Sequence, residues 1–115
     1  MAIDKSLLSG STTMLILKLL DKKDMYGYQM IEQLHKQSNE TFELKAGTLY
    51  PILHGLEREG MLESYEEGAD SARVRKFYHI TKKGKKLLIE KKEEWRQYTS
   101  AVNNVLNGGV RFGIN

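Results

Sequence analysis

Between residues 46 and 62 the chain reads AGTLYPILHGLEREGML, with Leu49, Ile52, Leu53 and Leu56 recurring at i, i+3, i+4 and i+7. That spacing sets one face of a helix against a core. At about 100° per residue the opposite face collects Gly47, Tyr50, Pro51, His54 and Arg58, unlike the Lys and Glu of an ordinary solvated face. The only proline of the chain lies in this helix, near its start. There the hydrogen bond it cannot donate is lost only in the first turns, and it leaves a smooth contact face with Gly47, beside which Tyr50 and His54 project.

Upstream, residues 5–20 hold Leu7, Leu8, Met14, Leu15, Ile16, Leu17, Leu19 and Leu20, too many apolar positions for one helical stripe. Such a helix needs cover on two sides, and in a small domain the second cover is often another subunit. DKKD at 21–24 predicts a turn, with Asp24 as N-cap of a second helix. On that helix Met30, Ile31 and Leu34 share a face with Gly27, which permits close packing. SNET at 38–41 ends it, and Phe42 and Leu44 alternate as in a very short strand.

Downstream, Gly60 suits the left-handed position after a helix. LESYE and RVRKFYHIT then predict a hairpin, with Val74, Lys76, Tyr78 and Ile80 on one side and Arg73, Arg75, Phe77 and His79 on the other. Its EGADSA loop is rich in turn formers and is expected to be mobile. Thr81 predicts the N-cap of a long last helix, ended by NGG at 107–109. Along it Leu88, Lys91, Trp95, Tyr98, Val102 and Val105 advance by alternating steps of three and four, a heptad seam that needs a partner.

The 115 residues fit one small domain; 40% are hydrophobic, 29% charged, and none is cysteine. A disulfide framework, a thiolate nucleophile and a thiolate metal site are thereby excluded. The start MAIDKSLLSG lacks a basic leader, and the longest strongly apolar run, 14–17, is far too short to span a bilayer, so no membrane association and a cytoplasmic location are expected. Net charge is only +3, but it is unevenly spread. Residues 73–86 carry seven bases and no acid, whereas 59–70 carry five acids and no base. A solvated hairpin of opposite charges would look the same.

Two short helices, a third with a patterned outer face and a basic hairpin predict a mainly α (α+β) winged helix-turn-helix. In this plan 1–81 form a DNA-binding domain, 82–107 a dimerisation helix and 108–115 a tail. A helix can enter a major groove about 12 Å wide while a wing and helix N-termini hold phosphates. AGTLYPILHGLEREGML followed by RKFYHITKKG resembles the PadR family of bacterial transcriptional repressors, whose pattern is close to GTLYPLL.RLE..GLI and then R.YY.LT..G. YGYQMIEQL resembles that family's second helix, so the likeness covers most of 12–98. His79 and Phe77 are modest departures. The short C-terminal part with a central Trp is similar to the smaller subfamily, which includes multidrug-binding regulators.

The resemblance implies a homodimer whose first and last helices interlock and which represses from a roughly palindromic operator on double-stranded DNA. It places Thr48, Tyr50, Pro51 and His54 against the groove, Lys45 nearby, Arg73, Arg75 and Lys76 on the wing, and Tyr78 in the core. The lysines of 82–86 are read as a solvated face. Dimerisation would use Leu7, Leu8, Leu88, Trp95, Tyr98, Val102, Val105 and Leu106. Trp95 has two readings: an interface aromatic, or, as in the multidrug-binding relatives, a stacking surface for a small planar aromatic effector with Leu8 and Tyr98 beside it.

Enzyme function has little footing. His35, His54 and His79 lack metal-ligand spacing, no glycine-rich phosphate loop exists, and Glu66/Glu67 and Glu93/Glu94 point their neighbours to different sides. No metal or cofactor is expected. The remaining alternative is a winged helix that serves only as a protein interaction module, without specific DNA binding.

Overall fold

The computed structural model describes residues 3–68 and 73–109. The chain runs α1 (Lys5–Lys22), β1 (Met25–Tyr26), α2 (Gly27–Gln37), α3 (Ala46–Arg58), β2 (Leu62–Glu67), β3 (Arg75–Ile80) and α4 (Lys82–Leu106). The strands form one antiparallel sheet in the order β1-β3-β2, so the architecture is an α+β winged helix. Parts of the expected hairpin loop and tail, 69–72 and 110–115, lie outside the described residues.

The periodicities place the core. Leu49, Leu53 and Leu56 of α3, Met30 and Leu34 of α2, Ile16, Leu17, Leu19 and Leu20 of α1, and Leu62, Tyr78 and Ile80 of the sheet are all buried. Gly60 adopts φ +80 just after α3, and its neighbour's amide, Met61 N–H, donates to the Leu56 carbonyl, as a left-handed helix stop requires. The Thr81 hydroxyl accepts from Gly84 N–H at 3.1 Å and caps α4.

Two local expectations are corrected. Asp24 does not cap α2: the capping position falls on Tyr26, whose N–H donates to Gln29 Oε1, and Asp24 is engaged by the sheet instead. Phe42 and Leu44 form no strand. The Phe42 amide donates to Ser38 Oγ and its carbonyl lies 3.3 Å from His35 Nδ1, so its hydrogen-bonding groups serve the end of α2 and not a ladder. The third strand is β1, two residues paired as Met25 with Tyr78 and Tyr26 with Phe77.

Leu88 also leaves its expected place. It is 4% exposed and belongs to the chain's own core, so the first two turns of α4 pack with the winged helix. At Gly84 an added Cβ would stand 2.2 Å from the Met61 carbonyl oxygen and 2.8 Å from Ile80 Cγ1. Farther along, Trp95, Tyr98, Val102, Val105 and Leu106 stay exposed, a row of large apolar side chains without cover among the described residues.

Candidate nucleic-acid interface

The leucines of α3 fix its rotation, leaving Gly47, Thr48, Pro51, His54 and Arg58 in solvent. Pro51 is the sixth helical residue, and Gly47, whose carbonyl an amide at position 51 would otherwise reach, is also on the solvent face. Tyr50 departs from the sequence expectation of a freely projecting side chain. It is half-buried, and its hydroxyl occupies the volume that a Cβ on Gly27 would need, 2.2 Å from that position. A side chain at Gly27 would therefore have to displace the end of the Tyr50 ring where α2 and α3 meet. Burial, and then the neighbouring Tyr28 and Tyr78, push the Tyr50 phenol above its ordinary pKa. Its ring lies 6.2 Å from that of His54.

On the wing, β2 and β3 pair Glu67 with Arg75, Glu66 with Lys76 and Tyr65 with Phe77. The outer face carries an aromatic row across all three strands. Tyr65 stacks on Phe77 at 5.7 Å, Tyr26 meets Phe77 edge-on at 5.3 Å, and the Arg75 guanidinium sits 4.8 Å above the Tyr26 ring. Such a contact restrains a long side chain without neutralising it. Lys76, on the inner side, lies 3.7 Å from Glu57 of α3 and 5.5 Å from the Tyr78 ring centre.

Asp24 ties the sheet to the end of α1. Its carboxylate accepts from the Tyr65 hydroxyl at 2.6 Å and lies 2.8 Å from His79 Nδ1. Partial burial pushes the Asp24 pKa up, but the hydrogen bonds from Tyr65 and His79 outweigh it and hold the group below its usual value. The same bond to Asp24, with some burial, pushes the Tyr65 phenol up to about 12.

A shallow cleft joins these parts: Tyr50 of α3 shares it with Arg73, Val74, Arg75 and Lys76 of the wing and with Tyr26 and Tyr28 at the start of α2. Three cations, three phenols and a helix N-terminus are suited to phosphate oxygens. Tyr26 and Tyr28 escaped the sequence reading; the only signal was the YGY flanking a helix-start glycine. Lys45 is not in this cleft. It lines a separate groove with Lys5, Leu8 and Phe42.

A second concavity, of about 570 Å³, runs between α1 and α4 and gathers Leu7, Ser11, Met14, Lys91, Trp95 and Tyr98. The Trp95 and Tyr98 rings are 6.0 Å apart. Leu8, expected here, faces the groove of Lys45 instead, because successive helical residues point about 100° apart. Leu7 takes its place. Among the described residues no group of three His, Asp or Glu could hold a metal ion, and no helix is long and apolar enough to cross a membrane.

Residues 16–90 match the family described as the transcriptional regulator PadR-like family. A solved transcriptional regulator from Clostridium thermocellum is 30% identical, superposes with a TM-score of 0.81, and is covered over 96% of its length by 86% of this chain. A PadR-like transcriptional regulator from Bacillus cereus is 33% identical with a TM-score of 0.75, the match spanning 90% of this chain and 98% of that one. A transcriptional regulator of Mycobacterium tuberculosis is 34% identical over 67 residues, 58% of this chain and 59% of the relative. Family members are transcription regulators, not enzymes, and by this match and this fold the chain belongs to the PadR-like family of DNA-binding transcriptional regulators.

Proposed function

We propose that this chain is a cytoplasmic repressor that binds a palindromic operator as a homodimer. Residues 1–81 supply the DNA-binding surface and the helix within 82–107 supplies the dimer seam. α3 enters the major groove with Thr48, Pro51 and His54, while Arg73, Arg75 and Lys76 hold phosphate oxygens and Tyr26 and Tyr28 add hydroxyl donors. The observation that carries this reading is the cleft in which Tyr50 of α3 meets three wing cations, next to the exposed face of Thr48, Pro51 and His54 on the same helix.

Two duplexes test it: one that the protein enriches from a random-sequence pool, and a scrambled control. Arg75→Ala should weaken both alike and lower the salt slope by about 0.9, since one phosphate contact is lost. His54→Ala should mainly erode the preference for the enriched duplex, by about 1 to 3 kcal/mol where a base contact disappears. His54 is a cleaner test than Tyr50, whose removal would also open the packing over Gly27. Equal losses on both duplexes for His54→Ala would show that α3 is not the reader, and absence of salt-dependent DNA binding would leave a protein interaction module.

The α1–α4 concavity supports an effector site for a planar aromatic compound, with Trp95 and Tyr98 as stacking surfaces. Trp95 is the only tryptophan, so its fluorescence reports occupancy directly. Planar aromatic dyes should quench it, and Trp95→Ala should abolish their ability to release DNA. A dye can release DNA only by the difference in its affinity for the two dimer shapes, about 1.4 kcal/mol per tenfold change. Release that survives Trp95→Ala unchanged would make Trp95 a packing residue alone.

A further inference from the structure

The last turn of α3 touches both strands of the wing through one side chain. One oxygen of Glu57 accepts a short hydrogen bond from Ser64 Oγ of β2, and the other lies 3.7 Å from Lys76 Nζ of β3. Glu57 is two-thirds buried, whereas Lys76 is half exposed and lines the cleft beside Tyr50. The backbone connection between α3 and β2 is only residues 59–61, and β3 reaches α3 through no shorter covalent path. The wing is thus held by the Gly60 turn, the buried leucines and two carboxylates that each engage β2 and β3 together, Asp24 from the end of α1 and Glu57 from α3. Of the two, only Glu57 lies on α3 itself.

We propose that Glu57 is a positioning residue that holds the wing at the angle required for α3 and the wing cations to engage one duplex together. This rests on the DNA-binding reading above. Two effects are combined in the group and they oppose each other. The bond to Ser64 fixes geometry, which matters for a sequence that must be read in register. The negative charge offsets Lys76 and repels phosphates, which lowers binding to any sequence. Glu57 therefore favours selectivity over raw affinity. It approaches no base itself.

Two variants separate the effects. Ser64→Ala removes the bond and changes no charge; it should weaken the enriched duplex about tenfold, the size of a hydrogen bond to a charged group, and leave the scrambled duplex within about twofold. Glu57→Gln removes the charge while its amide oxygen can still accept from Ser64; it should strengthen the scrambled duplex about threefold and raise the salt slope by up to about 0.9. In the free protein, amide hydrogen exchange in β2 and β3 should quicken in Ser64→Ala while exchange in α1 stays unchanged. A merely structural role would lower both affinities together and quicken exchange everywhere.

Unchanged wing exchange in Ser64→Ala, or equal loss on both duplexes, overturns the positioning role while leaving DNA binding intact. A wild-type protein that enriches no sequence from the pool overturns the DNA-binding reading, and the positioning role with it. The exchange data identify which of the two has failed.

Discussion

Replacing Val102 and Val105 by Glu together is expected to yield a monomer with the 13.2 kDa chain mass in light scattering, where the proposed wild-type dimer should give twice that value. Trp95, Tyr98, Val102, Val105 and Leu106 are between 37 and 75% exposed in the single chain, a contiguous apolar row that water would cover only at a cost. Charges at its centre would be desolvated without partners in a dimer. The secondary effect is larger than the primary one. With one half-site engaged at a time, affinity for a palindromic duplex should fall by about 10² to 10⁴, the usual gain from linking two binding modules, while scrambled duplex loses far less. A double variant that remains a dimer would place the subunit contact elsewhere than on α4.

Gly84→Ala should be the most damaging single methyl in the chain. Its Cβ would meet the Met61 carbonyl oxygen at 2.2 Å, and that oxygen is backbone held by the Thr81 N–H, which donates to it at 3.1 Å, while the Thr81 hydroxyl is shared between it at 3.0 Å and the Gly60 carbonyl at 2.7 Å. Overpacking against backbone costs about 3 kcal/mol, which lowers Tm by roughly 10 °C or more for a chain of this size. Gly55→Ala is the control. Its added methyl would meet nothing nearer than the far end of Arg58 at 3.7 Å, and a glycine-to-alanine change inside a helix then stabilises by about 0.5 to 1 kcal/mol. Similar melting temperatures for the two variants would mean that the loop after α3 and the start of α4 are not rigidly packed.

Features whose cause is local were legible in the sequence. Leu49, Leu53 and Leu56 repeat at helical spacing because one side of α3 is buried, and Tyr78 and Ile80 alternate because one face of β3 is buried. The cap that Thr81 gives α4 and the helix stop at Gly60 each act within a few residues. What escaped depends on partners distant in the chain. Asp24 looked like a helix cap because nothing in its neighbourhood announces Tyr65 or His79. Two residues of β1 are too few to show a period. Leu88 continues the heptad of α4 without a break, and only the fold shows that the chain's own core claims it before any partner could. Among the residues proposed to face DNA, the cations of the wing could be read off directly, whereas Tyr26 and Tyr28 join them in the cleft through the tertiary path of α2.

The packing of Gly84 against Met61 has a mechanical consequence. The end of α3 and the start of α4 behave as one rigid joint, from which α4 extends as a rod of 25 residues, about 37 Å long. A pivot of about 5° at that joint carries the far end of the rod about 3 Å. In a dimer held along α4 the relation also runs in reverse: the crossing angle of the two rods sets the span between the two copies of α3. Half-sites lie one helical turn apart, about 34 Å, and hydrogen bonds to base edges tolerate only a few tenths of an ångström. The joint thus acts as a fulcrum, and a wedge of one aromatic ring's thickness between the rods is large compared with the tolerance at the DNA.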